Sequence, residues 1–123
     1  MKILHFEMEG GGLNLPLNEK HTVLYTGSHD NDTTVGWYRK NYANRLKGLY
    51  SNEDIAWHFI EQAYGSDAET VIVPLQDVLS LDTEARMNTP GTTEGNWTWR
   101  YREGSLTEDL KNRLRSLVSK YRR

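Results

Sequence analysis

A chain of 123 residues normally makes one domain with one core, and 37% hydrophobic content with a mean hydropathy of -0.75 is lean for burying both faces of a sheet. The formal net charge of -2 gives no basic field and so no compositional support for nucleic-acid binding, and the absence of cysteine excludes a disulfide framework and thiolate metal sites. No apolar run approaches membrane-spanning length and no signal-peptide core opens the chain, so a soluble cytoplasmic protein without a membrane partner is expected.

In chain order, "MKILHFEM" has an apolar centre at Ile3, Leu4 and Phe6 and stops at the glycines Gly10 to Gly12, which predicts a short strand feeding a loop. Those glycines lack the spacing and following helix of a phosphate cradle. "HTVLYTG" predicts a second strand over Thr22 to Tyr25, with a turn at Gly27. From Thr33 to about Leu49 the pattern is weakly helical, through Val35, Trp37, Tyr38, Tyr42 and Leu46, with Asp32 as the expected N-cap. "SNEDIAWHFIEQAYGS" is the strongest helix: Ser51 can cap it, Asp54 can complete a capping box and Gly65 can end it. Its expected apolar face is Ile55, Ala56, Phe59, Ile60, Ala63 and Tyr64.

The run Val71, Ile72, Val73 predicts a third strand buried on both faces and stopped by Pro74. A short helical stretch near Leu75 to Leu79 precedes the irregular "DTEARMNTPGTTEGNWTWR". The last helix runs from about Thr107 to Tyr121, with Leu110, Leu114, Leu117, Val118 and Tyr121 on one side. The late cations Lys111, Arg113, Arg115, Lys120, Arg122 and Arg123 read as its solvated face and end. Strand, strand, helices, strand, helix is the order of a parallel α/β architecture, whose sites are built from the loops after the strands. Three such strands leave two edges needing partners, which implies a piece of something larger.

The stretch "YTGSHDNDTTVGWY" puts His29 and Asp30 in such a loop. A metal site there would need further histidines, and His5, His21 and His58 are scattered in sequence. Asn88 is open to two readings, a shaper of the Pro90-Gly91 turn or a ligand contact. Trp97 and Trp99 read as packing residues in preference to sugar platforms.

"LYTGSHDNDTTVGWY" and "ARMNTPGTTEGNWTWR" together resemble the C-terminal part of the 4-alpha-glucanotransferases, the amylomaltases or disproportionating enzymes of glycoside hydrolase family 77. The resemblance implies that the chain is a single incomplete domain, residues 1–123, carrying about three βα units (the sixth to eighth) of a (β/α)8 TIM-type barrel of the α-amylase clan. It implies transfer of α-1,4-glucan segments between malto-oligosaccharides through a glycosyl-enzyme intermediate, with no cofactor and no metal. Asp30 matches the transition-state-stabilising aspartate of the family, and His29 and Asn88 match sugar contacts. The nucleophile and the acid/base belong on the fourth and fifth strands, upstream of Met1. Glu7, Glu9, Asp32 and Glu94 sit in contexts that match neither. The expected protein partner is therefore the missing N-terminal portion of the same enzyme or a second copy. The alternative is a non-catalytic glucan-binding or structural remnant that self-associates.

Overall fold

The computed structural model describes residues 1–8, 20–42 and 50–123. Three parallel strands, β1 (Lys2–Ile3), β2 (Val23–Tyr25) and β3 (Thr70–Ile72), lie in the order β1-β2-β3. Lys2 pairs with Leu24, and Leu24 pairs with Val71. The helices are α1 (Leu4–Glu7), α2 (Thr34–Tyr42), α3 (Asn52–Tyr64), α4 (Leu75–Val78) and α5 (Glu108–Lys120), with a 3-10 turn at Thr83–Ala85. The triple glycine, Glu9 and the expected continuation of α2 from residue 43 to Leu49 lie outside the described residues.

The first strand is shorter than its sequence suggests. It stops at Ile3, and the chain turns into α1, closed by Met8 N donating to Leu4 O at 3.0 Å. In a strand Leu4 and Phe6 would share a face. The helical turn instead buries Leu4, His5 and Met8 together and leaves Phe6 56% exposed.

α2 and α3 form the connection from β2 to β3, and their apolar residues build the main core. Val35, Tyr38 and Tyr42 from α2 meet Ile55, Ala56, Phe59 and Ala63 from α3 over Leu4, Met8 and Leu24. Burying a side chain such as Phe59 contributes roughly 1.5–3 kcal/mol. Ser51 caps α3, its hydroxyl accepting from Asp54 N at 3.1 Å. Gly65 ends α3 with an ordinary φ of -80. Its missing side chain matters for a different reason: a Cβ there would stand 3.0 Å from the Tyr121 ring. α3 also buries Trp57, beyond the expected face. The reason is a second cluster on its far side, where Trp57 and Ile60 pack with Val78 and Leu117 against Leu110, Leu114 and Tyr121. Val118, expected on that face, is 39% exposed.

The cations of α5 are more than a solvated surface. Arg113 bonds Glu53 at 2.9 Å and lies over the Trp57 ring, 4.3 Å from its centroid. Lys120 and the Tyr121 hydroxyl both bond Glu61, whose carboxylate they hold below its ordinary pKa. The Arg123 guanidinium donates to the carbonyls of Tyr64, Ser66 and Ala68 at the end of α3, where a cation also complements the helix dipole.

β3 is not buried on both faces within this chain. Val71 packs on the main core, while Ile72 is 43% exposed. Alternate residues of a strand face opposite sides, and in β3 Val71 meets the core while Thr70 and Ile72 are exposed.

Candidate functional site

The loops leaving the adjacent strands β2 and β3 meet. In the first, Asn31 Oδ1 accepts from both the amide and the hydroxyl of Ser28, each at 2.8 Å, and Asn31 N donates to Ser28 O at 3.1 Å. This tight turn holds His29 and Asp30 at its tip, with side chains 58% and 50% exposed. The N-cap of α2 is Thr33 and not Asp32: the Thr33 hydroxyl accepts from Gly36 N at 3.1 Å. Asp32 sits one residue too early, so its carboxylate takes Thr33 N at 2.8 Å and the Thr83 hydroxyl at 2.9 Å, tying this loop to the turn beyond α4.

The second loop brings Asn88 to Asp30. Asn88 Nδ2 donates to Asp30 Oδ1 at 2.7 Å, and His29 Nε2 lies 3.3 Å from the same oxygen. Asn88 does not shape the Pro90-Gly91 turn through its side chain, which is directed to Asp30. The turn is organised by Asn96, whose Oδ1 accepts from Thr89 N at 2.9 Å, and by Gly91 at φ 85, a left-handed slot that suits glycine. A residue missed in sequence fastens the pair: Arg86 donates through Nη2 to Asp30 O at 2.7 Å and through Nε to Asn88 O at 2.9 Å. Asn88 N also donates to His29 O at 3.1 Å. A forked guanidinium suits such a double bond, and nothing short of knowing that both carbonyls converge would have singled it out.

Beside the pair lies a cavity of about 180 Å³, lined among others by His29, Asp32, Gln76, Asp77, Arg86 and Trp97. Trp97 does not pack as expected; it is 53% exposed, with its ring centroid 5.0 Å from that of His29. Among the described residues, no group of three or more histidine, aspartate or glutamate side chains is placed to hold a metal ion.

Under the cavity a buried polar network anchors both ends of the Asp30 loop. Asp77 Oδ2 accepts from the hydroxyls of Thr26 and Thr34 at 2.6 and 2.7 Å, and Oδ1 accepts from Thr34 N at 2.9 Å. Burial pushes the Asp77 carboxyl above its ordinary pKa, against the pull of these donors. With Asp77 ionised, the Thr34 hydroxyl donates to it, and His5 Nε2 then donates to Thr34 Oγ1, 2.9 Å away. His5 Nδ1 is then unprotonated, and it is buried with no hydrogen-bond partner among the described residues. The ring stacks on Trp37 at 5.0 Å. Gly27 permits this packing, because a Cβ there would come within 2.8 Å of the His5 ring.

A proton on Nδ1 would be an unpaired buried charge, and desolvation lowers the His5 pKa from 6.5 to about 3. In that window the unfolded chain binds a proton that the folded chain refuses, so stability falls on acidification. Between pH 6.5 and 4.5 the loss should reach roughly 2 kcal/mol, with a melting shift on the order of 5–10 °C. Asp77 acts in the opposite sense, since its raised pKa lowers stability as pH rises through the carboxylate range. Thermal melts across this window should therefore be steep for the unmodified chain and flatter for His5→Gln, which keeps a donor to Thr34 and cannot be protonated. Equal slopes would show that His5 is not the group refusing the proton.

Comparison with known proteins bears on both loops. The family described as 4-alpha-glucanotransferase matches residues 1–107. The chloroplastic/amyloplastic 4-alpha-glucanotransferase DPE1 of Arabidopsis thaliana is 42% identical, over 100% of this chain and 23% of its own length. That of Thermus thermophilus is 39% identical, over 96% and 27%. The solved amylomaltase of Streptococcus agalactiae in complex with acarbose superposes with a TM-score of 0.78 at 32% identity, covering 100% of this chain and 27% of that one. The chain thus spans about a quarter of the length of the relatives it matches. With the family matched across both the strand core and the two site loops, the chain belongs to the 4-alpha-glucanotransferase family.

Proposed function

We propose that the chain is the C-terminal part of an enzyme that transfers α-1,4-glucan segments between malto-oligosaccharides, and that it forms one wall of the active site. In this reading β1, β2 and β3 are the sixth to eighth strands of a (β/α)8 barrel, and residues 1–123 are an incomplete domain. The single observation that carries it is the meeting of Asp30, His29 and Asn88 at the ends of neighbouring parallel strands, where such folds build their sites.

Asp30 is the transition-state stabiliser. Among the described residues both carboxylate contacts fall on Oδ1, so Oδ2 has no protein donor and can accept from sugar hydroxyls. Those bonds strengthen as the reacting ring flattens towards an oxocarbenium ion. Asn88 and His29 hold the carboxylate and reach the same hydroxyls. A retaining mechanism also needs two carboxyl groups roughly 5–5.5 Å apart, and these belong to the portion of the enzyme outside this chain. The exposed face of β3, with Ile72 on it, suits that portion or a second copy of this chain.

The purified chain alone should release no glucose from maltotriose above a blank. Mixed with the missing N-terminal portion of a family enzyme, it should regain transfer. Turnover by the chain alone would refute the division of roles, and maltose-oligomer binding with no turnover in any assembly would favour a non-catalytic glucan-binding remnant.

A further inference from the structure

We propose that Trp97 is the platform on which one pyranose ring of the glucan stacks, beside His29 and against the cavity between the two loops. The proposal rests on the glucan reading of the site and adds to it a binding residue. Three observations converge on the ring. Its backbone is left-handed, with φ 61, a conformation that costs a bulky aromatic residue and that persists where the surroundings impose it. Here Trp97 N donates to Met87 O at 2.7 Å, which fixes the residue next to Asn88. The side chain so directed is 53% exposed. A tryptophan serving the core would be covered, as Trp57 is at 3%, and would need no strained backbone.

The third observation is what surrounds the ring. Trp97 lines the same cavity as His29 and Arg86, and its ring meets His29 at 5.0 Å with the planes 42° apart. A pyranose presents apolar C–H faces and a rim of hydroxyls. A flat indole accepts the face, while polar groups at its edge take the rim. His29, and Asp30 next to it, supply that edge. Trp99, two residues on, lines a different cavity with Leu79 and Leu110 and lacks these neighbours.

The test uses the chain labelled with 5-fluorotryptophan, whose four fluorine resonances are assigned by single Trp→Phe variants. Maltoheptaose should shift the Trp97 resonance. Affinity from saturation-transfer titration should fall about five- to tenfold in Trp97→Ala, the size expected for losing one aromatic stack. It should stay within about twofold in Trp97→Phe and in Trp99→Ala by the same reasoning. Unchanged affinity in Trp97→Ala, or no binding by the unmodified chain, would overturn the platform. So would a Trp97 resonance that moves on adding the N-terminal portion alone and not further with sugar, since the ring would then be an interface residue. Full transfer by an assembly carrying Trp97→Ala would remove the platform and leave the proposed function standing. Sugar binding at Trp97 with no transfer in any assembly would do the reverse.

Discussion

In an assembly of this chain with the missing N-terminal portion, Asp30→Asn should lower kcat for maltotriose disproportionation by about 100- to 1,000-fold, or roughly 3–4 kcal/mol of activation free energy. KM should change little, because the contact gains strength mainly in the transition state. The geometry makes this a clean test of charge. Asn88 donates to one carboxylate oxygen, and the amide oxygen of the variant can accept the same bond. Asp32→Asn is the comparison. Asp32 takes Thr33 N with one oxygen and the Thr83 hydroxyl with the other, and an amide keeps one of these, so the rate should stay within about a few fold. Initial rates of glucose release decide the matter: equal losses in the two variants would mean that the catalytic carboxylate is misassigned.

Asp77→Ala should cost about 3–5 kcal/mol of folding stability. The substitution strands the hydroxyls of Thr26 and Thr34 and the amide of Thr34 in a buried site. Against a total of about 5–15 kcal/mol for a domain, such a loss removes a large part of what holds this chain folded. Urea denaturation followed by far-UV circular dichroism should show a large drop in midpoint, or no cooperative transition. Asp77→Asn, which keeps one acceptor oxygen, should fall between the two. A change below about 1 kcal/mol for the alanine variant would show that water or rearrangement satisfies the donors. Because Thr26 precedes the Asp30 loop and Thr34 follows it, this one carboxylate fixes both ends of the loop. The entropy of holding Asp30 in position is thereby spent in folding.

Much of this was legible in sequence, and the failures have particular causes. α3 and α5 are legible nearly to the residue, α3 because Ser51 is a capping type at the right offset and α5 because Leu110, Leu114 and Leu117 recur at helical spacing. β2, β3 and the loops carrying Asp30 and Asn88 were also readable. β1 was overcounted because "ILHF" suits a strand or a helical turn equally, and the core decided by taking Leu4 together with Met8. The expected cap at Asp32 falls one residue early, because Thr33 is also a capping type and only the backbone geometry separates the two. The Asp77 network was invisible: its partners stand 51 and 43 residues away, and an aspartate after "PLQ" looks like any first-turn acid. Arg86 and the exposed face of Trp97 depend likewise on which backbone atoms converge, which no local pattern records.

The fastening of α5 bears on how the molecule opens. Its ties to α3, from Arg113 to Glu53, from Lys120 and Tyr121 to Glu61 and from Arg123 to the end of α3, join residues 55 to 60 apart in sequence. Most are exposed, and such pairs contribute little each. Leu117 is the only residue of α5 that is buried. Closing so long a segment costs chain entropy, repaid chiefly where Leu110, Leu114, Leu117 and Tyr121 cover Trp57 and Ile60, so α5 is expected to dock late in folding and to open as a unit. The stretch from Leu79 to Leu106, which carries Arg86, Asn88 and Trp97, is held at its far end by this helix. Amide exchange in α5 and in that stretch would then occur through one shared opening, while the β2 loop, anchored by Asp77, keeps its protection until the whole core unfolds.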